Sequence, residues 1–385
     1  MPTTRALEQH IAVFGESGSG KTVLLSSFYG AAQENENIKR DGFAVVAENP
    51  AQSVQLSQNY LGMKKSATLP PPNRFEGKSY SFLVKLKEPS NAAAPFKALR
   101  LVWHDYPGEW FEQDVSGPTE AQHRLETFQK LLGSDVALLV VDGQKLLEHA
   151  GSEGSYLKSL FTNYCQQLQL LKDDLLTDGK PLVKFPRIWV MALSKSDLLP
   201  ETTVEDFREL LLEKAGSDII KLRDVIAELV EGSNALAVGE DFLLLSSAKF
   251  DPAKIHVDER VGLDLILPLA SVLPFQRHMK WAKSMNLPRK VAVDLLSDVE
   301  TVALALGLVG AFISRLLASR SKLLGAVATV LSRAVPELVK WASGTLTEAD
   351  RSAIAKQNSV AAALLEFPKR LDAGEKQQVL HLGDK

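Results

Sequence analysis

Apolar positions along the chain fall into two textures: short runs, and longer stretches in which they recur at helical spacing. The short runs are Ile11–Phe14, Phe43–Ala47, Ser79–Lys87, Ala98–His104, Val136–Val141, Ile188–Leu193 and Phe242–Leu245. Several are continuous rather than alternating, the pattern of strands covered on both faces. Between them, helices are predicted over Thr22–Gln33, Ala121–Leu132, Ser155–Leu175 and Val204–Lys214. Strands alternating with helices predict an α/β fold, a mostly parallel sheet with helices on both faces. Ser79–Lys87 and Ala98–His104 are joined by a Pro/Ala-rich link with no room for a crossover helix. They are expected to pair as a hairpin and give the sheet an antiparallel edge strand.

Beyond about residue 250 the strand-like runs stop. Gly262–Met285 reads as one helix interrupted by Pro268 and Pro274, and Leu287-Pro288 as a boundary. Lys290–Leu371 is rich in Ala, Leu and Val and reads as all helix, and Asp372–Lys385 as a polar, frayed tail. The expected organisation is an α/β domain over 1–285, a helical region over 286–371 and a flexible tail over 372–385.

Composition narrows the class. The 385 residues suffice for two to three domains at about 150 residues each. With 44 basic against 47 acidic residues the net charge is −3, so no basic field argues for nucleic acid, and none is expected as a partner. The single cysteine, Cys165, excludes an internal disulfide and cysteine-built metal clusters. The opening MPTTRALEQH has no apolar stretch of the kind a secretory signal needs, so a cytoplasmic protein is expected.

The strongest chemical signal is Gly15-Glu16-Ser17-Gly18-Ser19-Gly20-Lys21-Thr22, which fits G-x-x-x-x-G-K-[ST]. It follows the run Ile11–Phe14 and opens a predicted helix, which an ordinary Gly/Ser-rich turn need not do. Glycines let the main chain curl so that successive N–H groups face one anion, and the helix N-terminus adds its dipole. The phosphates of a nucleotide are thus expected on Gly15 through Val23, with Lys21 reaching the β- and γ-phosphates and the Thr22 hydroxyl on Mg²⁺. Asp105-Tyr106-Pro107-Gly108 stands at the end of another strand-like run, where an Mg²⁺-organising aspartate belongs, although Asp, Pro and Gly also favour a plain turn. There the Gly108 N–H is placed to sense the γ-phosphate, and Glu109 takes the position of a water-orienting side chain. A carboxylate at that position repels the γ-phosphate, so slow unaided hydrolysis is expected.

Ser194-Lys195-Ser196-Asp197 follows Ile188–Leu193 and resembles the [NT]-K-x-D guanine-reading motif, with serine in place of Asn or Thr: its carboxylate would accept from guanine N1 and N2, with the lysine stem along the purine face. The Ser194 hydroxyl is expected to tie this loop to the Gly15–Gly20 loop, although read alone the segment is also a strand-to-helix turn. Ser247-Ala248-Lys249, after Phe242–Leu245, resembles a second guanine-contacting element. Thr68 is the only threonine between Thr22 and Asp105, in a proline-rich stretch suited either to a mobile loop that completes the Mg²⁺ shell or to an extended linker. No arginine can be assigned to assist hydrolysis: Arg74, near Thr68, is a candidate, but a solvated surface residue is the favoured reading.

Taken in order, these elements resemble P-loop GTPases of the translation-factor-related class. The string Asp105-Tyr106-Pro107-Gly108-Glu109-Trp110, with Leu69-Pro70-Pro71-Pro72 ahead of a strand, is similar to the bacterial stress-inducible YcjX family and its double-GTPase relatives. The resemblance spans roughly residues 8–285. It implies Mg²⁺-dependent binding and hydrolysis of GTP to GDP by a bacterial protein, with Lys21, Thr22, Asp105, Lys195 and Asp197 at the family's functional positions. Two positions depart from the family's pattern: Ser194 replaces the usual Asn or Thr, and Asn73 stands where a switch threonine is usual. The long spacing from Asp105 to Lys195 implies inserted helices around Ser155–Leu175.

Residues 301–314 carry no charge but are shorter than the about 20 residues a membrane span needs. Over 299–345 the charges sum to +3, and Ser321–Trp341 reads as a basic amphipathic helix. Thr345 and Glu348 have capping-box spacing, so a further helix is expected there. A helical hairpin packed on the α/β domain is the favoured reading. Peripheral contact with the inner face of a membrane, or self-association, is the second. The functional expectation is a nucleotide-driven switch with a helical effector region and a protein effector or activator. A membrane-associated mechanical GTPase and a nucleotide-clamped scaffold are the alternatives.

Overall fold

The computed structural model describes residues 7–41, 43–71, 77–86, 97–111, 117–176, 178–251, 254–284, 288, 291 and 359–383. Its main sheet has eight strands: β1 (Leu7–Phe14), β2 (Phe43–Ala47), β3 (Lys78–Leu86), β4 (Lys97–Asp105), β5 (Val136–Asp142), β6 (Ile188–Ser194), β7 (Ala237–Leu244) and β10 (Leu380–His381). They lie in the order β10-β7-β6-β5-β1-β4-β3-β2, while β8 (Lys249–Asp251) and β9 (Lys254–His256) form a separate small hairpin. The helices are α1 (Lys21–Ala32), α2 (Asn35–Asp41), α3 (Pro50–Ser66), α4 (Pro118–Leu132), α5 (Gly143–Glu148), α6 (Glu153–Leu170), α7 (Lys172–Leu175), α8 (Val204–Leu229), α9 (Ile266–Ser284) and α10 (Ser359–Lys376).

The central strands β4, β1, β5, β6 and β7 are mutually parallel. Every residue of β5 and β6 is buried, which explains their unbroken apolar runs. Side-chain alternation splits the core in two. Ile11 and Val13 of β1 pack with Leu25 and Phe28 of α1 and with Leu269 and Leu273 of α9. Ala12 and Phe14 face the other layer, with Phe128 of α4, Phe161 of α6 and Phe207 of α8. The result is a helix–sheet–helix sandwich.

The expected hairpin forms: β3 runs antiparallel to β4. It is not the edge, because β2 adds a further antiparallel strand outside it. Helix starts follow local chemistry. Asn49 caps α3, accepting from the N–H groups of Ala51 and Gln52, with Pro50 as the first helical residue. Thr203 and Asp206 close a reciprocal capping box at the start of α8. The stretch expected to form one helix over Gly262–Met285 begins with a short 3₁₀ turn, Leu263–Leu265, and continues as α9 through Pro274.

The C-terminal expectation is corrected. The presumed frayed tail from Asp372 is structured: α10 runs across the expected boundary, and Leu380–His381 then pairs antiparallel with β7. An exposed strand edge is a row of unused hydrogen-bonding groups, and a polar segment covers it as readily as an apolar one. The N–H of Leu244 donates to Val379 O, and that of Val204 to Gln378 O, both at 2.9 Å. The fully buried Asp241 then accepts from Arg277 at 2.5 Å and from the Gly383 N–H at 3.0 Å. The apolar run 301–314, the basic stretch within 299–345, the Thr345–Glu348 box, and Asn73 and Arg74 lie outside the described residues. Among the described residues no helix is long and apolar enough to cross a membrane.

Removing one partner of a buried ion pair leaves an uncompensated charge. Arg277→Met is therefore expected to lower unfolding stability by about 3 kcal/mol, with Asp241→Asn/Arg277→Met recovering most of the loss. Chemical denaturation checks this, and a silent Arg277→Met would mean that the clamp on the C-terminal strand does not exist in solution.

Candidate functional site

Strand register puts the chemically marked loops in one row. Ala12 pairs with His104, Phe14 with Leu139, Asp142 with Ser194, and Leu193 with Leu244. The segments that follow β1, β4, β5, β6 and β7 thus all emerge at the carboxyl edge of the parallel strands, where open α/β sheets place ligand sites.

The first of these segments, Gly15–Gly20, curls between β1 and α1. Gly18 and Gly20 have φ of +77° and +89°, in the left-handed region that glycine enters without penalty. The curl is closed by its own side chains. Lys21 is buried and donates to Gly15 O at 2.7 Å and Glu16 O at 3.0 Å, while Ser19 Oγ donates to Glu16 O at 2.9 Å. Thr22 follows in the first turn of α1, half-buried. Val23 packs against the cluster of Tyr60, Met63 and Ala248.

Asp105 ends β4 and is buried. Burial first, then the Asp105 charge, push the Tyr80 hydroxyl up to about 12. Tyr106, which no reading of the motif singled out, bridges the two segments: its hydroxyl accepts from the Gly15 N–H at 2.8 Å and donates to Gly15 O at 3.2 Å. Lys21 Nζ lies 5.1 Å from the Tyr106 ring centre. Burial first, then the Asp105 charge, hold the Tyr106 hydroxyl protonated well beyond its ordinary range. Gly108 opens a short 3₁₀ turn pressed against the first loop, where a Cβ would stand 2.3 Å from Ser17 N. Glu109 accepts from Ser17 Oγ at 2.9 Å. Arg124 of α4 holds the far end, donating to Trp110 O at 3.1 Å with its guanidinium 5.8 Å from the Trp110 ring centre.

Lys195 is left-handed (φ +53°) and points its amine at Asp142 (2.8 Å) and Gln144 (3.1 Å). Ser194 was expected to tie its loop to the Gly15–Gly20 loop. Its hydroxyl instead donates to Val141 O at 3.3 Å, because the register seats it beside the end of β5 and a serine reaches no further. Asp197 stands in the Ser196–Leu198 turn, and Ser246 Oγ sits 2.7 Å from its Oδ1 and 2.6 Å from Ala248 O, one proton serving two acceptors. Ser247 and Ala248 are buried beside it, and Lys249 is exposed. A cleft of about 570 Å³ opens there, lined by Ser196, Asp197 and Lys249 with Arg260 and Gln378.

Thr68 keeps its contacts local to the end of α3. It follows the left-handed Ala67 that ends α3, its N–H donates to Gly62 O, and its exposed side chain turns to Ser66 O at 3.2 Å. The helix before it, α3, packs Tyr60 and Met63 around Ala248.

Asp142, Gln144, Lys145 and Ser246 complete the row and were missed. Asp142 carried the same signal as Asp105, an acid at the end of an apolar run. Among the described residues no group of three His, Cys, Asp or Glu side chains converges as a metal site. The Thr22 hydroxyl and Asp105 carboxylate at neighbouring loop ends are nevertheless hard oxygen donors of the kind Mg²⁺ accepts alongside water and phosphate oxygens.

The Double-GTPase 2 family profile matches residues 9–238, more than half of the chain. No curated protein matches. Among solved structures, the chain resembles the S. cerevisiae Ski7 GTPase-like domain bound to GTP, at 13% identity over 63% of this chain and 43% of that one, with a TM-score of 0.30. It thus spans less than half the length of that domain. It also resembles the Chaetomium thermophilum signal recognition particle receptor SRb-GTP/SRX complex, at 15% identity over 64% of this chain and 93% of that one, with a TM-score of 0.32. The cytosolic domain of the T. maritima FeoB iron transporter, in apo form, matches at 12% identity over 94% and 97% of the two chains, with a TM-score of 0.28.

Two outcomes follow from the geometry. Gly108→Ala drives a Cβ into main-chain atoms, an overpacking cost of about 1–3 kcal/mol. Gly18→Ala meets open space and costs only its left-handed backbone, about 1–2 kcal/mol. Urea midpoints should rank Gly108→Ala as no milder than Gly18→Ala, and a wild-type midpoint for Gly108→Ala would separate the two segments.

The second outcome concerns pH. His104, beside Asp105, shares a 2.9 Å hydrogen bond with His10, and burial, then the His10 charge, push it down to about 4. Its pKa is depressed in the folded chain, so its contribution is full above pH about 6.5 and fades as pH falls toward 4. His104→Gln should flatten the stability–pH curve across that window by about 1–3 kcal/mol, and parallel curves would refute the assignment.

Proposed function

This chain belongs to the Double-GTPase 2 family, and from that premise we propose that it binds GTP with Mg²⁺ and hydrolyses it to GDP and phosphate, acting as a nucleotide-driven switch. The observation that supports this most directly is the convergence of Lys21, Asp105 and the Lys195–Asp197 turn on one sheet edge, in strand order. In this reading the main-chain N–H groups of Glu16 through Thr22 grip the phosphates. Lys21 leaves the carbonyls of Gly15 and Glu16 for the β- and γ-oxygens, exchanging two neutral acceptors for charged ones. Thr22 and Asp105 hold Mg²⁺, which when bound neutralises charge at the β–γ bridge. Asp197 accepts from guanine N1 and N2, Ser247, Ala248 and Lys249 border the base, and the Lys195 stem covers it.

The switch reading draws on the contacts between the Gly15–Gly20 loop and the segment after β4. Gly108 lies on Ser17, and Glu109 is bonded to the Ser17 hydroxyl. A γ-phosphate that engages the Gly108 N–H must shift this segment, and its loss on hydrolysis lets the contacts re-form. Thr68 joins the Mg²⁺ shell in the triphosphate state only by leaving its turn at the end of α3. Glu109 orients the attacking water, and its negative charge keeps unaided turnover slow, leaving room for an activating partner.

Titration with GTP, GDP and ATP, with and without Mg²⁺, tests the reading. Guanine nucleotides are expected to bind at least about tenfold tighter than ATP, about 1.4 kcal/mol. Lys21→Ala should abolish binding with the fold intact, and Asp197→Asn should move preference toward xanthine nucleotides. Preference for ATP, or no phosphate release in single turnover, would overturn it.

A further inference from the structure

Glu16 is unusual for its place: a carboxylate inside a loop built to hold anions. Its side chain is 12% exposed and forms an ion pair with Lys145 at 2.9 Å. Lys145 reaches it from α5, whose N-cap is Asp142: Asp142 Oδ1 accepts from the Gln144 N–H at 2.9 Å. The other oxygen, Oδ2, pairs with Lys195 at 2.8 Å, and Gln144 Oε1 accepts from the same amine at 3.1 Å. Tyr156 of α6 braces the segment. Its hydroxyl accepts from the Asp142 N–H at 3.0 Å, its ring lies 5.9 Å from Lys145 Nζ, and burial with the Glu16 and Asp142 charges raises its pKa. The first turn of α5 therefore touches the phosphate-side loop through Lys145 and the base-side loop through Asp142. Ser194, the residue expected to join those loops, does not do so.

We propose that Lys145 is a positioning residue for nucleotide binding: it neutralises Glu16 within the phosphate loop and, through α5, holds that loop at a fixed spacing from Lys195. The proposal rests on the GTP-binding reading above. Without Lys145 the Glu16 carboxylate would keep the Tyr156 hydroxyl as a neutral partner but have no cation beside it, mostly buried and next to the incoming phosphates. Like charges at that range, with little water between them, oppose binding. Lys145 is 32% exposed, so solvent partly replaces it and the effect stays below that of a fully buried pair.

Release of a fluorescent GDP analogue from wild type, Lys145→Met, Lys145→Arg and Glu16→Gln/Lys145→Met is the test, with thermal melting as the check of folding. Lys145→Met is expected to release GDP about tenfold faster and to raise KM for GTP with kcat within about twofold. Lys145→Arg should restore slow release, and removing the uncompensated carboxylate in Glu16→Gln/Lys145→Met should recover most of the loss. Unchanged release in Lys145→Met, or a double variant no slower than Lys145→Met, overturns the proposal. Should Lys145→Met not fold, Lys145→Arg decides: release within about twofold of wild type supports it, and a tenfold increase overturns it. Failure of wild type to bind any guanine nucleotide would instead defeat the functional reading, so the two failures are distinguishable.

Discussion

The main-chain pairing of β1 with β4 on one side and β5 on the other is the constraint on which the site depends. Parallel ladders fix register to the residue, so the end of β1 cannot move relative to its neighbours without breaking buried hydrogen bonds. Lys21 and Asp105 are therefore held at adjacent loop ends, and Asp142 is aligned with Ser194. The apolar side chains on both faces of these strands supply the stability that lets glycine-rich and polar loops sit at the edge.

Within that frame the loops restrain one another. Tyr106 ties the first loop to the segment after β4 by two hydrogen bonds to Gly15, and Gly108 and Glu109 lie on Ser17. The polar groups of these loops are satisfied internally: Lys21 by carbonyls of its own loop, Glu16 by Lys145, Asp197 by Ser246. A nucleotide bound as proposed exchanges the contacts of Lys21 and Asp197, while the Glu16–Lys145 pair stays closed. In the proposed function, such an exchange lets the presence of one phosphate be felt some distance away at Trp110 and Arg124.

The C-terminal strand links this edge to the far side of the chain. β10 covers the open side of β7, and Gln378 borders the cleft beside Asp197. Asp241, Arg277 and Gly383 clamp it in place.

The sheet's parallel centre, its hairpin and the glycine-rich loop were legible locally, because continuous apolar runs and backbone-dictated glycines are properties of neighbouring residues. The candidate residues Lys21, Asp105, Lys195 and Asp197 were legible for the same reason, each standing just beyond a strand-like run. Helix α3 was not, since only Leu56, Tyr60 and Met63 of its seventeen residues are buried, too narrow a stripe to stand out. β10 was not, because main-chain pairing to an open edge leaves no mark on side-chain polarity. The partners of the site residues were decided by tertiary structure alone: Tyr106 on Gly15, Lys145 on Glu16 and Asp142 on Lys195 join residues separated by 53 to 129 positions. Pairing at such range depends on strand order and register, and neither is written in the spacing of residues along a chain.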